Sequence, residues 1–199
     1  MEEENMEYLD ICDEDGQPTG QIVPRSIAHR DDILHRTAHV WIVRENEGRI
    51  QILLQKRSME KESFPGLYDT SSAGHIPSGS EPLPSALREL NEELGVAAEP
   101  GDLAFAGKFR IKYEKEFHGK PFRDNEVTWV YVCSRSVDIE ALTLQKSEVD
   151  EARWFDLDEV WNEIQTSRER FCVPAQGLNV LREYLQRNGL DTAGSPLIC

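Results

Sequence analysis

The sequence predicts an α/β domain in which helices flank a mixed β-sheet. Three observations carry that expectation. Alternating, strand-like runs are interspersed with segments of helical period along the whole chain. No internal repeat and no low-complexity linker divides its 199 residues. Hydrophobic residues make up 39% and charged residues 30%, which is ordinary for a chain that builds one core. The expected organisation is therefore a single domain over residues 1–199, with a core from about residue 8 to 187. Short mobile tails are expected at residues 1–6 and over roughly the last ten.

The elements follow in order. Tyr8 to Val23 reads strand, turn, strand, with Asp13-Glu14-Asp15-Gly16 supplying hairpin chemistry. Residues 37–55 form a second hairpin around the turn 45–48. A polar loop broken by Pro65-Gly66 comes next, then a short strand from Tyr68 to Ala73. A helix starts near Leu83–Pro84, because proline is tolerated only in the first turn. Gly95 stops it. Residues 103–113 and 126–134 alternate and read as strands. Asp156 to Ile164 and Pro174 to Leu185 read as helices, the second with Leu178, Leu181 and Leu185 spaced for burial.

The helix before Gly95 carries the chemistry. Glu89, Glu92 and Glu93 fall at i, i+3 and i+4, so three carboxylates share one face. Leu83, Ala86, Leu87, Leu90 and Leu94 fall on the other side and anchor it. Such a cluster suits a hard divalent cation, Mg²⁺ first and Mn²⁺ second.

Gly74 together with Arg88 to Val96 resembles the Nudix box, G-x5-E-x7-R-E-U-x-E-E-x-G-U, in which U is aliphatic. One position departs: Ser80 stands where the family has its first glutamate, and Glu81 comes one residue late. The resemblance implies a Nudix-type α/β/α sandwich around a mixed sheet. It implies that Glu89, Glu92 and Glu93 hold metal with help from the Gly74 carbonyl, that Glu126 is a further ligand, and that Glu89 or Glu126 takes the proton from water. Arg88 then orients a box glutamate. Because Glu81 is adjacent to the departing position, it is expected to substitute partly for the missing carboxylate; the competing expectation is a solvent-facing charge near the helix N-terminus.

Beyond the box, Leu34 to Arg44, Leu53 to Asp69, Ser71 to Ile76 and Asp124 to Tyr131 are similar to the isopentenyl diphosphate isomerase-like branch. That branch places basic residues for the diphosphate at Arg57 and Lys61. It places metal-binding histidines at His29, His35 and His75, and paired carboxylates at Asp124 and Glu126. Such a second site suits Mn²⁺ or Zn²⁺ better than Mg²⁺. However, Ala73 occupies the position of the isomerase cysteine, and all three clustered glutamates are present. Both departures point to hydrolysis, because metal ions held by such carboxylates polarise phosphoryl oxygens and activate water. The expected reaction is cleavage of a diphosphate linked to another moiety, with a nucleoside diphosphate derivative as the leading substrate class. An isomerase-like enzyme and a non-catalytic nucleotide-binding module are the alternatives.

A formal net charge of −15 argues against nucleic acid or anionic membrane as partners, and leaves oligomeric state open. Four scattered cysteines indicate neither a disulfide framework nor a zinc ribbon, and Cys133 reads as a core thiol. With no signal-peptide pattern at the acidic N-terminus, a reducing cytoplasm is the expected compartment. Among the aromatics near the expected site, Trp41, Phe64 and Tyr68 are candidates to stack on a base, whereas Trp129 is assigned to packing.

Overall fold

A computed structural model describes residues 6–190; the expected tails fall almost wholly outside that range. The chain opens with an antiparallel hairpin, β1 (Tyr8–Cys12) and β2 (Pro18–Pro24), and a short helix α1 (Arg25–Arg30). There follow β3 (His35–Asn46), β4 (Arg49–Arg57), β5 (Tyr68–Asp69), β6 (Ser72–His75) and helix α2 (Pro82–Leu94). The rest is β7 (Leu103–Phe117), β8 (Lys120–Cys133), β9 (Val149–Asp156) and helices α3 (Leu157–Thr166) and α4 (Ala175–Arg187).

Seven strands form one sheet in the order β5-β4-β3-β8-β7, with β6 joined to β3 and β9 to β4. Only β3 and β8 pair in parallel, so the sheet is mixed as expected. Alternation along the strands supplies both faces. Trp41, Ile52 and Leu54 point to one side, where α3 and α4 bring Leu157, Trp161, Leu178, Leu181 and Leu185. Ala38, Val40, Ile42 and Leu53 point to the other, where Ala86, Leu90 and Leu94 of α2 are fully buried. Each such leucine contributes roughly 1.5–3 kcal/mol by leaving water, which fixes the rotation of α2.

Several boundaries differ from expectation. α2 begins at Pro82, one residue earlier than the Leu83–Pro84 start. β7 and β8 run on past the sheet into a long hairpin closed at His118-Gly119. The short strand near residue 70 is two pieces, β5 and β6, on different neighbours. Neither α1 nor β9 was foreseen. α2 ends at Gly95 in the left-handed region (φ 71°), whose N–H caps the Asn91 carbonyl; a Cβ there would meet Thr143 at 2.8 Å.

One buried ion pair docks the first hairpin onto the loop before α2. Arg36 donates to Asp10 at 2.7 Å and to the Ser80 carbonyl at 3.0 Å. Asp10 also accepts from Ser78 and from the Gly79 amide, both at 3.0 Å. A charge-assisted network of this kind sets the loop that delivers α2.

Candidate active site

A cleft of about 850 Å³ opens over β3 and β6, and nearly every expected site residue lines it. Glu89, Glu92 and Glu93 project from α2, Arg57 and Lys61 from the end of β4 and the loop after it, and His29, His75, Asp124 and Glu126 from the opposite wall.

The box residues hold one another. Arg88 donates to Glu89 at 2.6 Å and to Glu92 at 2.8 Å. Glu93 is only 5% exposed. It accepts from Gln55 at 3.1 Å and from the Ala73 amide at 3.2 Å. Burial pushes its carboxyl up to about 8, and the Glu89 charge adds to that. Glu89 is raised as well, by burial against the opposing pull of Arg88. Gly74 explains itself: a Cβ there would lie 2.3 Å from the Glu89 carboxyl carbon. A bare backbone at Gly74 thus lets the carboxylate and the peptide share one spot. Two buried glutamates that resist ionisation fit a divalent cation, which would remove the penalty on their charge.

Across the cleft stands a denser group. Ring nitrogens of His29, His35 and His75 lie within 4.8 Å of one another, as do donor atoms of His35, Asp124 and Glu126. His29 Nε2 is 3.1 Å from His75 Nε2, and Glu126 Oε1 is 3.5 Å from His35 Nε2. Strand register builds this: His35 on β3 sits directly beside Glu126 on β8, and Thr37 beside His75 on β6. Thr37 donates to Glu126 at 3.1 Å, and the Ile33 carbonyl takes the Nδ1 side of His35 at 2.9 Å, leaving Nε2 to face the cluster. His35 Nε2 and Asp124 Oδ1 are buried without a hydrogen-bond partner among the described residues. Burial, with the neighbouring His35, holds His29 down to about 4, and burial, with the Arg25 charge, holds His75 well below its ordinary value. Asp124 is pushed up to about 9 by burial and by the charge of Glu126. Burial opposes the charge of Glu126 too, but the imidazoles of His35 and His75 more than offset it and keep it ionised. Three imidazoles gathered beside two carboxylates are a donor set that suits a transition-type cation.

Three placements bear on the expected site. Glu126 lies in the histidine group, one of the two places expected for it. Glu89, Glu92 and Glu93 share the cleft but, among the described residues, do not form a group as compact as the histidines; Glu92 is half-exposed on its Arg88 tether. Glu81 is exposed at the N-cap of α2 and, like Ser80, does not line the cleft. Eight residues of helix separate Glu81 from Glu89, about 12 Å of rise, so it does not replace the missing box glutamate.

Arg57 and Lys61 both line the cleft but are paired. Arg57 contacts Asp69 at 3.2 Å and donates to the Ser63 carbonyl at 2.9 Å, while Lys61 pairs with Glu148. Of the aromatic candidates, Phe64 lines the cleft. Trp41 lies in the core, and Tyr68 packs on Phe155 and Phe171. Trp129 packs under Gly16, as assigned. Sequence reasoning missed His39, Asp69, Tyr113, Phe122 and Arg168, which also line the cleft. The alternation His35-Thr37-His39 was the available signal for His39.

The comparisons with known proteins agree with this geometry. Nudix hydrolase 3 of Arabidopsis thaliana is 42% identical over 158 residues, 78% of this chain; the chain spans only 20% of that protein's length. A Nudix hydrolase of Clostridium acetobutylicum is 37% identical over 160 residues, covering 80% of this chain and 73% of the relative. A crystal structure of a Deinococcus radiodurans protein superposes with a TM-score of 0.64 at 20% identity, covering 88% of this chain and 98% of its own, which concerns the fold alone. The NUDIX domain profile matches residues 33–173, well over half of the sequence and most of the residues that line the cleft, and the chain belongs to that family.

Proposed function

We propose that this Nudix hydrolase cleaves the phosphoanhydride of a diphosphate joined to another moiety, a nucleoside diphosphate derivative being the leading class. The observation that supports this most is a single cleft lined both by the box carboxylates Glu89, Glu92 and Glu93 and by the basic residues Arg57 and Lys61. Its volume, about 850 Å³, exceeds the need of a bare diphosphate and lies within the range of sites for nucleotide-sized ligands.

Glu89, Glu92, Glu93 and the Gly74 carbonyl would hold Mg²⁺ or Mn²⁺, which polarises phosphoryl oxygens and lowers the pKa of attacking water. Glu126 or Glu89 receives the proton of that water. Arg88 fixes Glu89, and Gln55 fixes Glu93. Arg57, braced by Asp69 and the Ser63 carbonyl, presents a rigid guanidinium edge to phosphate.

The assembled His29, His35, His75, Asp124 and Glu126 support kinship with the isopentenyl diphosphate isomerase-like branch. Ala73 supports hydrolysis over isomerisation within it. The test is incubation with Mg²⁺ or Mn²⁺ and a panel of nucleoside diphosphate compounds plus isopentenyl diphosphate. Release of phosphate or of a monophosphate product upholds the reading. A shifted double bond, or tight binding without turnover, overturns it.

A further inference from the structure

His39 has no part in the site described so far, yet it lines the same cleft and is only 7% exposed. Nδ1 is fully enclosed without a hydrogen-bond partner among the described residues, and the ring makes a T-shaped contact with Phe109, 5.7 Å between centroids. Burial holds the imidazole below its ordinary pKa, so it is neutral and carries one N–H and one lone pair. A buried lone pair without a partner is tolerated better than a buried N–H without one. The proton therefore belongs on Nε2.

Its place in the sheet gives that N–H a target. His39 on β3 is directly opposite Ala73 on β6. Residues so paired project to the same side, with Cβ atoms roughly 4.5–5.5 Å apart. The Ala73 amide is bound to Glu93, and Gly74 cradles Glu89. Two residues back on the same face, Thr37 holds Glu126. His39 thus stands between the two carboxylate groups, above a side chain reduced to a methyl, where a larger residue would cover it.

We infer that His39 contacts the substrate, donating an Nε2–H hydrogen bond to a non-bridging phosphoryl oxygen of the diphosphate compound. This rests on the hydrolase reading above. The proton stays on the imidazole throughout, and a neutral donor adds to anion binding without disturbing the Arg57–Asp69 pair.

The test uses the full chain with Mg²⁺ and methylenediphosphonate, a diphosphate analogue that resists hydrolysis. In protein labelled with nitrogen-15 at histidine, the His39 ring signal should move on adding the probe. His39→Phe, which keeps the ring and removes the donor, should weaken probe binding and lower kcat/KM by about tenfold to a hundredfold. His39→Gln, which restores an N–H donor, should recover part of both. If His39→Phe fails to fold, the wild-type signal and His39→Gln still decide. A probe that binds without moving the His39 signal, or that binds the folded Phe variant within about twofold of wild type, overturns the role of His39 and leaves the hydrolase reading standing. A wild type that neither binds the probe nor cleaves any diphosphate compound overturns both.

Discussion

On α2, three carboxylates come from a single stretch of helix, Glu89 to Glu93, whereas the facing group draws His29 from α1, His35 from β3, His75 from β6 and Asp124 and Glu126 from β8. The local group is the looser one. Arg88 tethers Glu89 and Glu92, and Gln55 and the Ala73 amide hold Glu93, so each carboxylate already has a protein partner. The non-local group is compact, and its His35 Nε2 and Asp124 Oδ1 are buried without a hydrogen bond among the described residues. Helical spacing puts charges on one face but does not make them converge. Strand register does, because it fixes His35 beside Glu126 through the backbone ladder of the sheet.

That contrast can be broken most severely at Glu93. Glu93→Gln keeps an acceptor for Gln55 and Ala73, so the fold should hold, while kcat/KM falls by roughly 10²–10³-fold. Near wild-type turnover at limiting Mg²⁺ would remove Glu93 from the metal set. On the other wall, His35→Ala should lower the affinity of the histidine group for Mn²⁺ or Zn²⁺ by roughly 10–100-fold, read by metal analysis after dialysis. Equal metal content in wild type and variant would show that the group is only structural.

Gly74→Ala sharpens the geometry of the box. The new methyl would fall 2.3 Å from the Glu89 carboxyl carbon, so either Glu89 moves or β6 does. A loss of about 1–3 kcal/mol in stability is expected, seen as a lower melting temperature. An unchanged melt would mean that Glu89 is free to swing away.

Titration of Glu93 is a gentler probe. Its carboxyl is raised from 4.5 to about 8 by burial, so the folded state keeps a proton that the unfolded state has released. Without metal, Glu93 therefore favours folding most below about pH 4.5, and that contribution is lost as pH rises to about 8. Thermal melts in chelator should show this decline, and Glu93→Gln should flatten it; an equal slope in both proteins would contradict the assigned cause. The smallest effect is expected at Ser80. Since Glu81 faces solvent, Ser80→Glu should strengthen Mg²⁺ binding, by no more than about tenfold from the loop before the helix. Weaker binding in a calorimetric titration would count against a family-like role for that position.

Legibility in the sequence follows the same division. The box helix could be read from one contiguous stretch, because Leu90 and Leu94 mark its buried side and Gly95 its end. The two hairpins and the helices α3 and α4 were visible for the same local reasons. β9 was missed because Asp150, Glu151 and Arg153 interrupt its apolar residues; only pairing with β4 makes it a strand. α1 is a six-residue helix with a single turn of signal. The fate of Glu81 was undecided because direction in a loop depends on how Arg36 and Asp10 dock the segment. His39 drew no attention within its strand, since its partner across the ladder, Ala73, is thirty-four residues away.

The central claim is that water, activated at this cleft, attacks phosphorus. The most direct measurement is hydrolysis of an accepted diphosphate compound with Mg²⁺ in heavy-oxygen water, followed by mass spectrometry of both products. The account predicts one heavy oxygen, on a phosphate product, and its loss in parallel with activity in Glu93→Gln. Heavy oxygen on carbon, or turnover that rearranges the substrate without incorporating any, would contradict it.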